Sequence, residues 1–168
     1  MPDMAPHEAR RRFTEARVAR LATVDPGGRP HLVPVVFAGH DDTIVTAVDH
    51  KPKRSRQLRR LHNIAVHPAV CLLADAYDED WDQLWWVRAD GGARIVPSEA
   101  PEEDARAEYT AAIDLLRHKY PQYGSRPPDG PLIVVTVLHW NGWQASRVSR
   151  SRVSRAPAED ATRTFPPS

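Results

Sequence analysis

Cysteine is almost missing from this chain: Cys71 is the only one in 168 residues. An intrachain disulfide is therefore excluded, and the apolar neighbours Val70, Leu72 and Leu73 argue for a packed thiol over a catalytic one. No apolar run approaches the length that crosses a bilayer, and residues 1–20 are too charged for a signal peptide, so a cytoplasmic protein is expected. No serine stands in a Gly-x-Ser-x-Gly elbow, and there is no glycine-rich phosphate loop of the Rossmann or Walker type. The histidines lack close metal spacing. Asp78, Glu79, Asp80 and Asp82 crowd together without the alternating ligands and central glycine of a calcium loop, and read as a solvated acidic loop. Nucleophilic, zinc and nucleotide-loop chemistry are all poorly supported.

What is present is charge, unevenly spread. The net charge of +1 hides a run, residues 51–60, holding Lys51, Lys53, Arg54, Arg56, Arg59 and Arg60 with no acid among them. The β-prone segment Thr46-Ala47-Val48 leads directly into this run, and a helix is expected right after it. Helix-start N–H groups beside Lys and Arg make a place for a phosphate or another anion. The bland alternative is a solvated basic loop. Nucleic acid is disfavoured as a specific partner, because no zinc spacing or RNP-like strand accompanies the run; only weak, salt-sensitive binding is expected.

The length suits one domain with a real core. A charged helix is expected over residues 6–17, then strands over 18–24, 31–37 and about 43–48. Turns at Asp25–Gly28 and Gly39–Asp42 would make these three an antiparallel meander. Pro34 cannot donate to a ladder, so it marks an edge, a bulge or backbone left for something else. A helix follows Ser55, burying Leu58, Leu61, Ile64 and Ala65, and ends at His67-Pro68. Strands are expected at 70–74, 83–89 and 93–96, with a hairpin turn at Asp90-Gly91-Gly92. A second helix, about Pro101–Lys119, would bury Ala105, Tyr109, Ala112, Ile113, Leu116 and Tyr120. The run Leu132–Trp140 then meets Asn141-Gly142, a hairpin signal, with a return strand from Trp143. Residues 148–168, rich in Arg, Ser and Pro, read as a mobile tail.

About seven strands with two longer helices point to a mainly β fold, a small closed or half-closed barrel whose apolar outer face invites a second copy. No residue is assigned a catalytic role. What remains is bound-cofactor chemistry, in which a flavin or deazaflavin carries the redox centre and the protein anchors its anionic end. Lys51, Lys53 and Arg54 would anchor it. Arg60 would reach back toward it or lie on the surface. Pro34 and Thr46–Val48 would face the ring edge, with Trp85, Trp86 or Trp143 covering the ring or the substrate cleft.

Three stretches carry a family resemblance. They are Arg17–Asp25 with Gly28–Phe37, then Asp49–Arg54 with Leu58–Ile64 and His67-Pro68, and finally Trp85-Trp86-Val87-Arg88 with Gly92-Ala93 and Trp140-Asn141-Gly142-Trp143. Together they resemble the pyridoxamine-phosphate-oxidase-like split β-barrel proteins, in the branch that uses coenzyme F420. The resemblance implies an FMN-binding split barrel over residues 1–147 and a homodimer with cofactor sites at the subunit interface. It implies Lys51 and Lys53 as the best anchors, followed by Arg54 and Arg60, with Pro34, Val35, Thr46, Ala47 and Val48 beside the ring. The activity implied is hydride transfer from reduced F420 to a conjugated, small and apolar acceptor. An FMN-dependent oxidase or reductase and a non-catalytic F420 carrier are the alternatives.

Overall fold

A computed structural model gives the structure of residues 3–48 and 56–145. Helix α1 (Pro6–Glu15) starts with proline in its first turn, where the missing N–H costs nothing, and buries Ala9 and Phe13. Strands β1 (Ala19–Val24), β2 (Pro30–Val35), β3 (Ala38–His40) and β4 (Thr43–Ala47) follow. Helix α2 (Arg56–Val66) leads to β5 (Ala69–Ala76), a single 3-10 turn at Trp81–Gln83, and β6 (Trp85–Val96). Helices α3 (Glu103–Lys119) and α4 (Gln122–Ser125) precede β7 (Leu132–Gln144).

All seven strands form one antiparallel sheet in the order β2-β1-β5-β6-β7-β4-β3. The expected meander is therefore wrong in its pairing. The second and third expected strands lie at opposite ends of the sheet, and the supposed Gly39–Asp42 turn contains β3, with only Asp41 and Asp42 left between its paired ends. Asp41 takes the positive φ of 50° that so tight a turn demands. Only Val36 and Phe37 separate β2 from β3, and three residue steps span about 11 Å at most. The two ends of the sheet must therefore meet. The sheet rolls into the half-closed barrel that the sequence led us to expect.

The barrel interior is filled by Leu21, Leu72, Val87, Ala89, Ile133, Val135 and Val137, with Phe13 of α1 packed on Phe37 at 4.9 Å between ring centroids. A second cluster lies on the outer side of β4 and β7, where Ala112, Ile113 and Leu116 of α3 cover Val45, Ala47, Leu132 and Val134. This alternation along β4 and β7 is the period-two rule with both faces covered.

Two more turn expectations fail for one reason. Asp90-Gly91-Gly92 and Asn141-Gly142 both lie inside continuous strands, with a register shift at Asp90/Gly91. A Cβ at Gly91 would stand 2.2 Å from the Thr136 carbonyl oxygen, and one at Gly142 would stand 3.0 Å from Met4 Cβ. The glycines admit close neighbours there, a bulged strand at the first and α1 at the second. Helix α2 is also rotated from its expected setting: Ile64 is buried and Leu61 packs on the core, but Ala65 is exposed, and Arg60 and Asn63 turn inward.

The seam at Val36–Phe37 has few ladder partners, so side chains satisfy it. Thr46 Oγ1 donates to the Val36 carbonyl at 2.8 Å. The Tyr120 hydroxyl accepts the Phe37 N–H at 3.1 Å and stands 2.8 Å from the Phe37 carbonyl and 2.9 Å from that of Arg17. Its one proton serves one of these two carbonyls. Tyr120→Phe should destabilise the fold by about 1–3 kcal/mol, the cost of orphaning buried backbone groups. Urea unfolding checks this; an unchanged midpoint would remove the hydroxyl from the seam.

Candidate functional site

The seam gathers the expected ring-edge residues. Pro34 faces outward on β2, a terminal strand of the sheet, so its missing N–H disturbs no ladder. Val35 is buried, and so are Thr46, Ala47 and Val48. The Thr46–Val36 hydrogen bond ties β4 to the end of β2, and the Val48 N–H donates to the Pro131 carbonyl at 3.0 Å. Of the expected set, Pro34–Val35 and Thr46–Val48 are thus brought together at one place. Lys51, Lys53 and Arg54 lie outside the described residues, as does the expected tail over 148–168.

Arg60 is described, and its position is informative. It retains only 9 % of its accessible surface, and its Nε is buried with no hydrogen-bond partner. Burial pushes it below the ordinary guanidinium range. One turn on, Asn63 is fully buried and donates through Nδ2 to Thr23 Oγ1 at 3.0 Å, while its Oδ1 has no partner. The inward face of α2 is therefore partly polar, directly after the basic run. A donor so placed suits a phosphate or carboxylate, and among the described residues no acid pairs with it.

Trp143 is elsewhere. On β7, Thr46 is opposite Ile133, and Trp143 lies ten residues further on, roughly 30 Å of strand. There it pairs with Trp86 on the outer face of the sheet, and Asn141 pairs with Arg88. Asp90 joins them, accepting from Arg88 Nε at 3.0 Å and from Asn141 Nδ2 at 2.9 Å. The two tryptophan-bearing stretches read separately in the sequence thus form one patch. Trp85, by contrast, faces inward against the core, with the Arg12 guanidinium 5.6 Å over its ring. It lies on the opposite face of the sheet from Trp86 and Trp143 and lines a cavity with Arg12 and Ala16. Cys71 sits half-buried opposite Asp90, and burial pushes its thiol up, as suits an inert group.

A family model described as pyridoxamine 5'-phosphate oxidase matches residues 5–144. The chain belongs to that family. Its fold agrees with solved structures that share it. A FAD-binding protein from Mesorhizobium loti superposes with a TM-score of 0.66 at 17% identity, over 86% of this chain and 97% of the other. A conserved hypothetical protein from Mycobacterium tuberculosis gives 0.64 at 21%, over 84% and 85%. HutZ, a heme storage protein from Vibrio cholerae, gives 0.58 at 19%, over 82% and 90%. A search of the curated proteins finds no sequence match. At these identities the likeness is one of fold, and that fold serves more than one cofactor class.

Sequence reasoning left Asn63, Thr23, Tyr120 and Lys119 without a site role. Tyr120 was legible only as the last member of a helical stripe, and Asn63 gave no signal, since it falls between apolar positions that are also inward. The orphaned guanidinium leads to a test of stability. Arg60→Met should leave the ligand-free fold unchanged or raise its stability by up to about 2 kcal/mol, because an unpaired buried charge is removed. A loss on that scale in urea unfolding would show that the guanidinium is stabilising where it stands.

Proposed function

We propose that the chain is an oxidoreductase that binds reduced coenzyme F420 and serves hydride transfer to a small conjugated acceptor. One observation carries the reading: Arg60, a buried cationic side chain whose Nε has no partner among the described residues, follows a run of basic residues in the sequence between β4 and the body of α2. That arrangement fits an anionic cofactor end. Lys51, Lys53 and Arg54 would hold the phosphate or the glutamate tail, with Arg60 behind them. Pro34, Val35, Thr46, Ala47 and Val48 would present backbone and small side chains to the ring edge, excluding water from one side. When bound, the deazaflavin supplies the hydride donor. The preference for F420 is supported by the Trp85–Arg88 and Trp140–Trp143 stretches, whose resemblance to the F420 branch gains from their being one cross-strand patch.

A second reading is favoured by the FAD-binding neighbour: an FMN- or FAD-dependent oxidoreductase on the same scaffold. Titration of the purified protein with F420, FMN and FAD separates the two. F420 binding with no flavin binding supports the first reading, and absence of F420 binding overturns it. Lys51→Ala and Lys53→Ala should each weaken cofactor binding by about 2–3 kcal/mol at unchanged stability, the scale of a charge-assisted hydrogen bond. Equal affinity in both variants would remove the anchor. Binding of both redox states without turnover over a broad acceptor panel would favour a carrier.

The site would be completed by a second copy. Trp143 and the seam are too far apart to meet in one chain, whereas the outward faces of β2, β1 and β5 carry Leu32, Pro34, Ala22, Cys71 and Leu73 around the Arg20–Asp75 ion pair. Leu32 is 65% exposed. Pairing of this face with its symmetry mate would bury it and bring residues of both chains to each cofactor. A dimer is expected in sedimentation, and Leu32→Asp should yield a folded monomer with weakened cofactor binding. A monomeric wild-type protein would overturn the arrangement.

A further inference from the structure

Three solvent-excluded side-chain atoms lack a hydrogen-bond partner among the described residues: His31 Nδ1, Arg60 Nε and Asn63 Oδ1. They are not scattered. His31 is the cross-strand partner of Thr23, so the two side chains share the inward face of the β1–β2 hairpin. Thr23 holds Asn63, and Asn63 lies one turn from Arg60. Turning the Asn63 amide over would only exchange an orphaned carbonyl for an orphaned amino group. Native interiors pair such atoms, so three in one place mark a region built around something else.

Beside them a cavity of about 220 Å³ opens between the hairpin and α2, lined by Asp25, Arg29, Pro30, His31 and Arg59. Its one acid is already engaged. Asp25 takes the Arg29 N–H at 2.8 Å on one oxygen and Arg29 Nε at 3.2 Å on the other, contacts that hold its carboxyl below the usual range. Arg29 thus meets Asp25 through Nε and its backbone N–H. Arg59 is exposed and forms no ion pair among the described residues. The charge left unmatched around the cavity is positive, and the histidine on its wall has an unused ring nitrogen. The volume exceeds one water's share of about 30 Å³ several times over.

We propose that this cavity is an oxyanion site, taking the phosphate or carboxylate group of a small molecule between the Arg59 and Arg29 guanidinium groups, with the His31 ring on its wall. Guanidinium groups suit such ligands because their donors are fixed in a planar fork. The site uses none of Lys51, Lys53 or Arg54, and the proposal stands whether or not the protein binds F420.

Sodium phosphate, titrated into the full chain against sodium chloride of equal ionic strength, tests it with the His31 ring resonances as the readout. Phosphate should shift them saturably and chloride should not. Arg59→Ala, a change at an exposed position, should weaken the phosphate response about tenfold, the scale of one charge-assisted contact. Arg59→Lys should recover part of it. The titration repeated with FMN or F420 present, whichever binds, identifies the source of the group. Loss of phosphate binding assigns the site to the cofactor's anionic end, and unchanged affinity assigns it to a separate small molecule. A His31 signal that does not respond to phosphate, or that responds equally in Arg59→Ala, overturns the proposal.

Discussion

Closure of the sheet across Val36–Phe37 is the constraint on which the rest depends. Two residues bridge the first and last strands of a seven-stranded order, so the curvature of every strand between them is fixed by that link. Backbone groups at such a crossing have no ladder to join, and leaving them unpaired in the interior costs about as much as a typical single substitution. Thr46 and Tyr120 satisfy them from two different elements. Lys119 adds to the closure, donating to the Thr14 carbonyl at 2.9 Å with its Nζ 3.8 Å from the Phe37 ring centroid. Burial, helped by Arg17, lowers its pKa to about 8. Since the unfolded lysine titrates higher, the unfolded chain binds the extra proton from about pH 8 upward. Over that interval stability contributed at this position rises with pH, so the charged lysine is held at a cost below it.

The same link explains where the site can be. Because β2 ends the sheet and β4 stands next to last at the other end, Pro34–Val35 and Thr46–Val48 meet only when the barrel closes. Residues that are a dozen apart in sequence become neighbours across the seam. The tryptophan patch on β6 and β7 grows from the same two long strands but at their far ends. The outward face of β2, β1 and β5 sets Leu32, Pro34 and Leu73 around the Arg20–Asp75 ion pair, and it is the surface on which the proposed dimer would unite the seam with the tryptophan patch.

Much of this was legible in residue order. The strands, the edge role of Pro34 and the α3 stripe follow from period and from proline's missing donor. What could not be read was pairing. A short turn between two strands usually joins neighbours, and the sequence Val35-Val36-Phe37-Ala38 looks like one strand continuing rather than a crossing between sheet ends. Glycine misled for a related reason: at Gly91 and Gly142 its value lies in admitting a backbone or a helix, which a local reading cannot tell from turn formation. The basic run raised an anion site as an expectation from composition, and Lys51, Lys53 and Arg54 lie outside the described residues; the inward polar face of α2 gave no such signal. Apolar period alone placed Ala65 where Asn63 belongs.

That inward face of α2 bears on how this chain distributes charge along the helix. A buried guanidinium whose Nε lacks a partner among the described residues costs more in solvation than an aliphatic side chain of similar length would in its place. Beside it, Asn63 Oδ1 and His31 Nδ1 also lack a partner among the described residues, so the polar wall between α2 and the β1–β2 hairpin holds both donor and acceptor capacity in reserve. His31 and Asn63 both meet Thr23, and Arg29 and Arg59 stand at the open cavity beside them; those two guanidinium groups are the feature that suits an oxyanion there. The barrel supplies rigidity, and α2 supplies positive charge on both its buried and its exposed sides. A negatively charged group at the exposed side of α2 would therefore meet favourable charge from Arg59 and Arg29.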